Sequence, residues 1–281
     1  MKKLQEAFPT PLEIPQNISK ISLEGMVDTH IHTSPDIKPR IFSDDDAVRD
    51  AKNQHMASII LKCHVESTAG RSHLLRKATG FDVFGGICLN SSVGGINPDA
   101  VEVSAALNGK IVWMPTISVF ELKKDVLNGI NGQNDNFEKI LHLISKHDMI
   151  LATGHLKAQE IFPILDMAHS LKIKKIIVNH PLTGVVDATL EEQKEMSRYA
   201  YLEHCFVACM PQHDQLSVER ISEAINFTGF KKCIMATDFG QKHNPIPSEG
   251  FKMFIYQMKE CGFSNKQIET MCSLNPRKLI Y

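Results

Sequence analysis

The chain has 281 residues, 43% of them hydrophobic, and a formal net charge of −1, which suits the core of one large α/β domain. With no basic or acidic block there is no electrostatic footprint for nucleic acid or an anionic membrane, so small molecules are the expected partners. Seven scattered cysteines without a Cys-x-x-Cys pair read as reduced thiols. With no apolar leader and no run long enough to span a bilayer, they predict a cytoplasmic protein; its oligomeric state is left open, a homo-oligomer included.

Residues 1–24 hold several prolines and no sustained period, and are expected to form an arm on the outside of a single domain spanning 25–281. The domain opens on Met-Val-Asp-Thr-His-Ile-His-Thr-Ser-Pro-Asp, positions 26–36. If the start of this stretch is a strand, its period of two puts His30 and His32 on one face, where a polar loop begins. Beyond it, short β-rich apolar runs alternate with amphipathic stretches, which argues for βα units and a parallel sheet. Eight runs are counted, at 26–32, 58–64, 83–89, 111–116, 150–155, 175–180, 201–208 and 233–238. Eight is the number that closes a (β/α)8 TIM barrel.

Between the runs, helices announce their starts. Ser43 precedes Asp44, Asp45 and Asp46, Asn97 precedes Pro98 ahead of Gly109, and Ser217 opens a helix that stops near Gly229. Thr189 with Glu192 and Ser264 with Gln267 make capping boxes. Phe137, Ile140, Leu141 and Ile144 form an apolar stripe, as do Ile161, Ile164, Leu165 and Ala168. The pairs Gly85-Gly86 and Gly94-Gly95 lack the spacing of a phosphate-binding loop and are read as turn glycines.

In a parallel barrel the strands' carboxyl ends share one mouth, and ionisable residues recur there: His30 and His32, Lys62 and His64, His155, His180 and Asp238. Singly, each reads as readily as an ordinary polar residue at a strand end. Jointly, four imidazoles and a carboxylate would be costly to bury without a cation.

The order of these residues, His30-x-His32, then His155, His180 and Asp238, resembles the amidohydrolase superfamily, the metal-dependent hydrolases related to phosphotriesterase and TatD deoxyribonuclease. The tail, Ser-Leu-Asn-Pro-Arg-Lys-Leu at 273–279, is similar to the Asn-Pro-x-x-Leu closing helix of those enzymes, and the likeness runs from about Gly25 to Leu279. The resemblance implies that His30, His32 and Asp238 bind a buried metal, and that His155 and His180 bind a second metal or divide between ligand and substrate-polarising roles. It also implies that Asp238 takes a proton from the attacking water and delivers it to the leaving group. Imidazole and carboxylate donors suit zinc, one ion or two, with manganese, iron, cobalt and nickel also fitting.

The fourth run carries no bridging lysine or glutamate, a departure from the two-metal pattern. Lys62, which shares a face with His64, is the nearest candidate for carboxylation; both are read as catalytic groups, against the plainer reading that Lys62 pairs with Asp28 or Glu66. Arg40 and Arg71 are candidate grips for a substrate anion, although surface solvation is the commoner fate of a loop arginine. Glu203 and His204 are candidates to stand behind the ligands, and Asp187 and Asp214 read as solvated loop residues.

The expected function is hydrolysis of an amide, lactone or other ester of a small molecule. The alternatives are a metal-dependent decarboxylase or lyase on the same scaffold, and a barrel that binds metal without catalysis.

Overall fold

A computed structural model describes residues 16–281, so most of the expected arm lies outside the described residues. Its described part does not simply coat the exterior. A 3-10 turn at Gln16–Lys20 leads into the core, where Ile18 and Leu23 are buried.

The strands are β1 (Val27–His32), β2 (Ser58–Lys62), β3 (Asp82–Phe84), β4 (Gly86–Cys88), β5 (Ile111–Trp113), β6 (Ile150–Ala152), β7 (Ile176–Asn179), β8 (Tyr201–Cys205) and β9 (Cys233–Ala236). All pair in parallel, in two arcs of order β1-β2-β3 and β4 to β9. The expected third run is one path broken at Gly85. Gly85 and Gly86 are therefore not turn glycines, because they lie where neighbouring chain presses in: a Cβ on Gly86 would meet the Ile111 carbonyl oxygen at 1.9 Å. Thr68 spans the break, its hydroxyl donating to the Leu61 carbonyl (2.7 Å) and accepting from the Gly86 amide (2.9 Å).

The other edges meet at a seam between β1 and the end of β9. The Asp238 amide donates to the His30 carbonyl (2.9 Å) and the His32 amide to the Phe239 carbonyl (2.8 Å). Asp28 fastens this seam through Thr237, which donates its hydroxyl (2.6 Å) and its amide (3.1 Å) to the carboxylate. Gly240 has a φ of 141° here, and a Cβ would strike the His32 carbonyl oxygen at 1.9 Å. The (β/α)8 barrel expected from the eight runs is the fold found.

The helices are α1 (Asp44–Asn53), α2 (Ala69–Thr79), α3 (Pro98–Ala106), α4 (Val119–Ile130), α5 (Asp135–Lys146), α6 (Ala158–Ser170), α7 (Leu190–Met196), α8 (Val218–Thr228), α9 (Pro247–Glu260), α10 (Asn265–Glu269) and α11 (Asn275–Ile280). Ser43, Asn97, Thr189, Ser217 and Ser264 each accept a backbone hydrogen bond at the start of a helix, as their sequence positions predict. The apolar stripes of α5 and α6 are buried. Helix α4, absent from the sequence reading, adds an extra layer after β5.

Apolar side chains fill the space between strands and helices. A second cluster, with Val27, Ile60, Ile111, Trp113 and Ile234, takes in Leu279 and Ile280 of α11. Asn275 donates to the Cys233 carbonyl (2.8 Å) and Ser273 to the Gly25 carbonyl (2.8 Å), so the tail plugs the end of the barrel where the strands begin. The opposite end is left for the site.

Candidate active site

Several expected strands end early. β2 stops at Lys62, β6 at Ala152 and β9 at Ala236, so His64, His155 and Asp238 lie in the turns just beyond, with His180 directly after β7. His180 and Asp238 hold φ angles of 47° and 54°, and Gly154 reaches 60°. Left-handed backbone is unfavourable for a residue with a side chain, of order 1 kcal/mol or more, and it tends to gather where a site demands it.

Asp238 is the meeting point. His32 Nε2 lies 3.0 Å and His30 Nε2 3.2 Å from its Oδ1, and His180 Nε2 lies 3.5 Å from its Oδ2. Oδ1 nevertheless accepts no properly directed hydrogen bond, although it is buried. The potential ligand atoms of His30, His32 and Asp238 lie within 4.8 Å of one another, and so do those of His30, His180 and Cys205. A buried, undonated carboxylate oxygen faced by imidazole nitrogens is what a divalent cation would satisfy, so the residues present fit such an ion.

The electrostatics agree. Burial pushes His32 down to about 3 and His180 down to about 4, against the opposing pull of Asp238 in both. Burial, aided by the positive charge of Lys62, also holds His64 and His155 well below their usual value. Imidazoles kept neutral keep the lone pairs a metal requires. Burial alone would raise the Asp238 carboxyl, but His30, His32 and His180 outweigh it and hold it well below the ordinary range. Asp28, at the seam, goes the other way: burial raises it to about 7 despite the hydrogen bonds from Thr237.

Glu203 is the group the sequence signalled least clearly. It stands behind His30, accepting from Nδ1 at 2.9 Å, from Thr29 Oγ1 at 2.5 Å and from Asn179 Nδ2 at 2.7 Å. Burial would raise its carboxyl, yet His30 and Thr29 bring it down to about 2. The next residue, His204, turns to the other side of β8, and its Nε2 has no hydrogen-bond partner among the described residues. Of the two candidates to stand behind the ligands, Glu203 is the one bonded to His30. Asn179 could have been noticed beside His180, but Thr29 carried no signal of its own.

Lys62 Nζ stands 3.0 Å from His30 Nε2 and 5.5 Å from the centre of the Trp113 ring. Neither carboxylate of the plainer reading holds it, since Asp28 is engaged by Thr237 and Glu66 by Arg71. His64 stacks on His32 at 4.7 Å between ring centres, and its Nδ1 lies 2.8 Å from Thr116 Oγ1. Asn90 fixes Thr116 in turn, donating to its hydroxyl (2.8 Å) and accepting from its amide (2.8 Å). His155 lies on the far side of the mouth, its ring centre 5.6 Å from that of His180 and 6.2 Å from that of His64. Its nitrogens join neither of the two ligand groups.

The two arginines expected to meet a substrate anion have partners inside the protein. Arg40 is buried, bonded to Asp36 at 2.7 and 2.8 Å, and approaches His32 Nδ1 at 3.3 Å. Arg71 pairs with Asp44 at 3.1 Å and Glu66 at 2.7 Å and donates to the Pro35 carbonyl. These contacts order the loops after β1 and β2, while Arg71 Nη2 is buried with no hydrogen-bond partner among the described residues. Asp214 is likewise occupied, accepting from the Gly184 amide at 2.8 Å.

Solved structures with this fold include a probable 2-pyrone-4,6-dicarboxylic acid hydrolase from Acinetobacter baumannii with citric acid bound. It is 13% identical with a TM-score of 0.65, over 91% of this chain and 99% of that one. An amidohydrolase from Pseudomonas aeruginosa gives 10% and 0.67, over 94% and 98%. A dihydroxybenzoic acid decarboxylase from Polaromonas sp. JS666, with bound manganese and the inhibitor 2-nitroresorcinol, gives 11% and 0.59, over 92% and 97%. No curated protein matches by sequence. A family of unknown function, DUF6282, matches residues 25–203. The chain thus belongs to the DUF6282 family, and its fold is the barrel of the amidohydrolase superfamily.

Proposed function

We propose that this protein is a metal-dependent enzyme that hydrolyses an amide, lactone or other ester bond of a small molecule. The observation that carries the reading is the convergence of His30, His32 and Asp238 within 4.8 Å on a buried carboxylate oxygen without a donor. His30, His32 and Asp238 would hold the ion, with His180 beside them. Zinc suits the donor set, and manganese, iron, cobalt and nickel remain open.

When bound, a divalent ion acidifies a water molecule and polarises the bond to be cut. Asp238, kept ionised among the imidazoles, accepts the proton and returns it to the leaving group. His180 and His155 line the side from which a polarised oxygen would be approached, and His64, oriented by Thr116, lies next to His155. Arg40 acts on substrate only through His32, because its own guanidinium is committed to Asp36. Residues 25–281 act as one catalytic domain. Among the described residues, no helix is long and apolar enough to cross a membrane, which is compatible with a small-molecule partner reached from water.

A decarboxylase or other lyase is the second reading, favoured by the likeness to the manganese-bound decarboxylase barrel. Purified protein would be assayed for zinc, manganese, iron, cobalt and nickel, then loaded with each and screened on ester, lactone, N-acyl and aromatic-acid panels in 18O-labelled water. Incorporation of the label into product supports the hydrolase. Release of carbon dioxide without label transfers the assignment to the lyase.

A further inference from the structure

One contact in the pocket is in conflict with the ligand role given to His30. Because His30 donates its Nδ1 hydrogen to Glu203, its Nε2 carries a lone pair. Lys62 Nζ stands 3.0 Å from that nitrogen. A charged lysine has only donors, so the bond runs from Lys62 to His30 and uses the lone pair a metal would need. Lys62 is 1% exposed, and among the described residues no carboxylate comes within ion-pair distance of its Nζ to hold it elsewhere.

On the reading of this pocket as a metal site, we propose that Lys62 and the ion compete for His30 Nε2, and that metal binding displaces the lysine toward the substrate. The direction of release follows from the surroundings. Glu203 and Asp238 are bonded to the imidazoles around the ion, whereas among the described residues no carboxylate forms an ion pair with His64 or His155 on the other side of the mouth. A freed lysine there meets the negative end of a substrate, a task from which Arg40 is held by Asp36. The inference also limits the stoichiometry to one ion. Asp238 and Glu203 face Lys62 and one divalent cation with a single positive charge in excess, and a second divalent cation beside an uncarboxylated lysine would raise that buried excess to three.

The test is a titration with manganese alone, in bicarbonate-free buffer, following free manganese by electron paramagnetic resonance. Wild-type protein is compared with Lys62→Met and Lys62→Gln, the folding of each checked by near-ultraviolet circular dichroism. One equivalent per chain is expected throughout, with affinity raised roughly tenfold in Lys62→Met, the scale on which groups next to metal ligands act. Lys62→Gln, which keeps a donor, should fall between. Unchanged or weaker affinity in both variants overturns the competition. So does a wild-type protein that takes two equivalents only when bicarbonate is restored and shows a carbon dioxide adduct on Lys62 by intact mass. If wild-type protein binds no manganese, zinc or cobalt, the metal reading itself fails and takes this inference with it.

Discussion

The two sides of the barrel mouth are built on opposite principles. On the side of β1, β8 and β9, charge is dense and the ionisable groups stand against one another: Glu203 with His30, Asp238 with His30 and His32, Arg40 with Asp36. On the side of β4, β5 and β6, the groups are neutral: Asn90, Thr116 and His155, with His64 leaning across from the loop after β2. On the proposed function a cation would sit on the first side, which has both the carboxylates and the deprotonated imidazoles. The second side has hydrogen-bonding capacity but no competing anion, which leaves it for the substrate. Binding and recognition are thus separated across one pocket a few side chains wide.

The strongest way to break this division is Asp238→Asn. Loss of the proton acceptor should lower a demonstrated hydrolytic rate by roughly 10^3-fold, and a rate left intact in metal-loaded protein would remove Asp238 from that role. Glu203→Gln comes next. Without the anion behind His30, affinity for zinc measured calorimetrically should weaken by roughly 10- to 100-fold, with Glu203→Asp recovering part of it. His155→Asn tests the other side: the metal content should stay at its wild-type value while the rate drops by roughly 10^2-fold, the low end for a lost donor to the polarised oxygen. Loss of metal in that variant would erase the boundary drawn here.

Acid should act on both sides together. His32, His180 and His204 have pKa values of about 3, 4 and 4 in the fold, against 6.5 in the unfolded chain. Below pH 6.5 the unfolded chain takes up protons that the folded one refuses, so the stability these residues contribute is full above 6.5 and is lost as pH falls toward 4. Asp28 opposes this, since its folded form keeps a proton between 3.8 and about 7 that the unfolded form has released. With the lowered imidazoles, His64 and His155 among them, outnumbering the carboxyls that burial raises, Asp28, Asp44 and Asp50, the melting temperature of metal-stripped protein should decline on acidification from pH 6.5, and His204→Gln should flatten the decline. The smallest effect is expected at Phe120 on α4, 88% exposed on the neutral side: Phe120→Ser should change stability by less than about 0.5 kcal/mol.

The strand count and the helix caps were legible because they depend on local pattern, and the convergence of His30, His32, His180 and Asp238 because each stands at the end of a strand run. Glu203 was not, because its direction depends on the register of β8 and on the irregular pairing of β1 between Asp28 and Ile31, which lets Thr29 and His30 reach the same carboxylate. The partner of Lys62 was equally hidden, since Asp28 is a strand neighbour by sequence but spends its oxygens on Thr237. The arginines could have been read better. Asp36 lies four residues before Arg40 and Glu66 five before Arg71, spacings that invited the internal pairs they form. Helix α4 escaped notice for lack of a clean N-cap, Ser118 making no side-chain capping bond.

The seam fastened by Asp28 and Thr237 joins residues 209 positions apart. On the proposed function, a chain in which β9 has not yet docked on β1 presents His30 and His32 without the carboxylate that completes the set, and loads a cation in its proper geometry only once the seam closes.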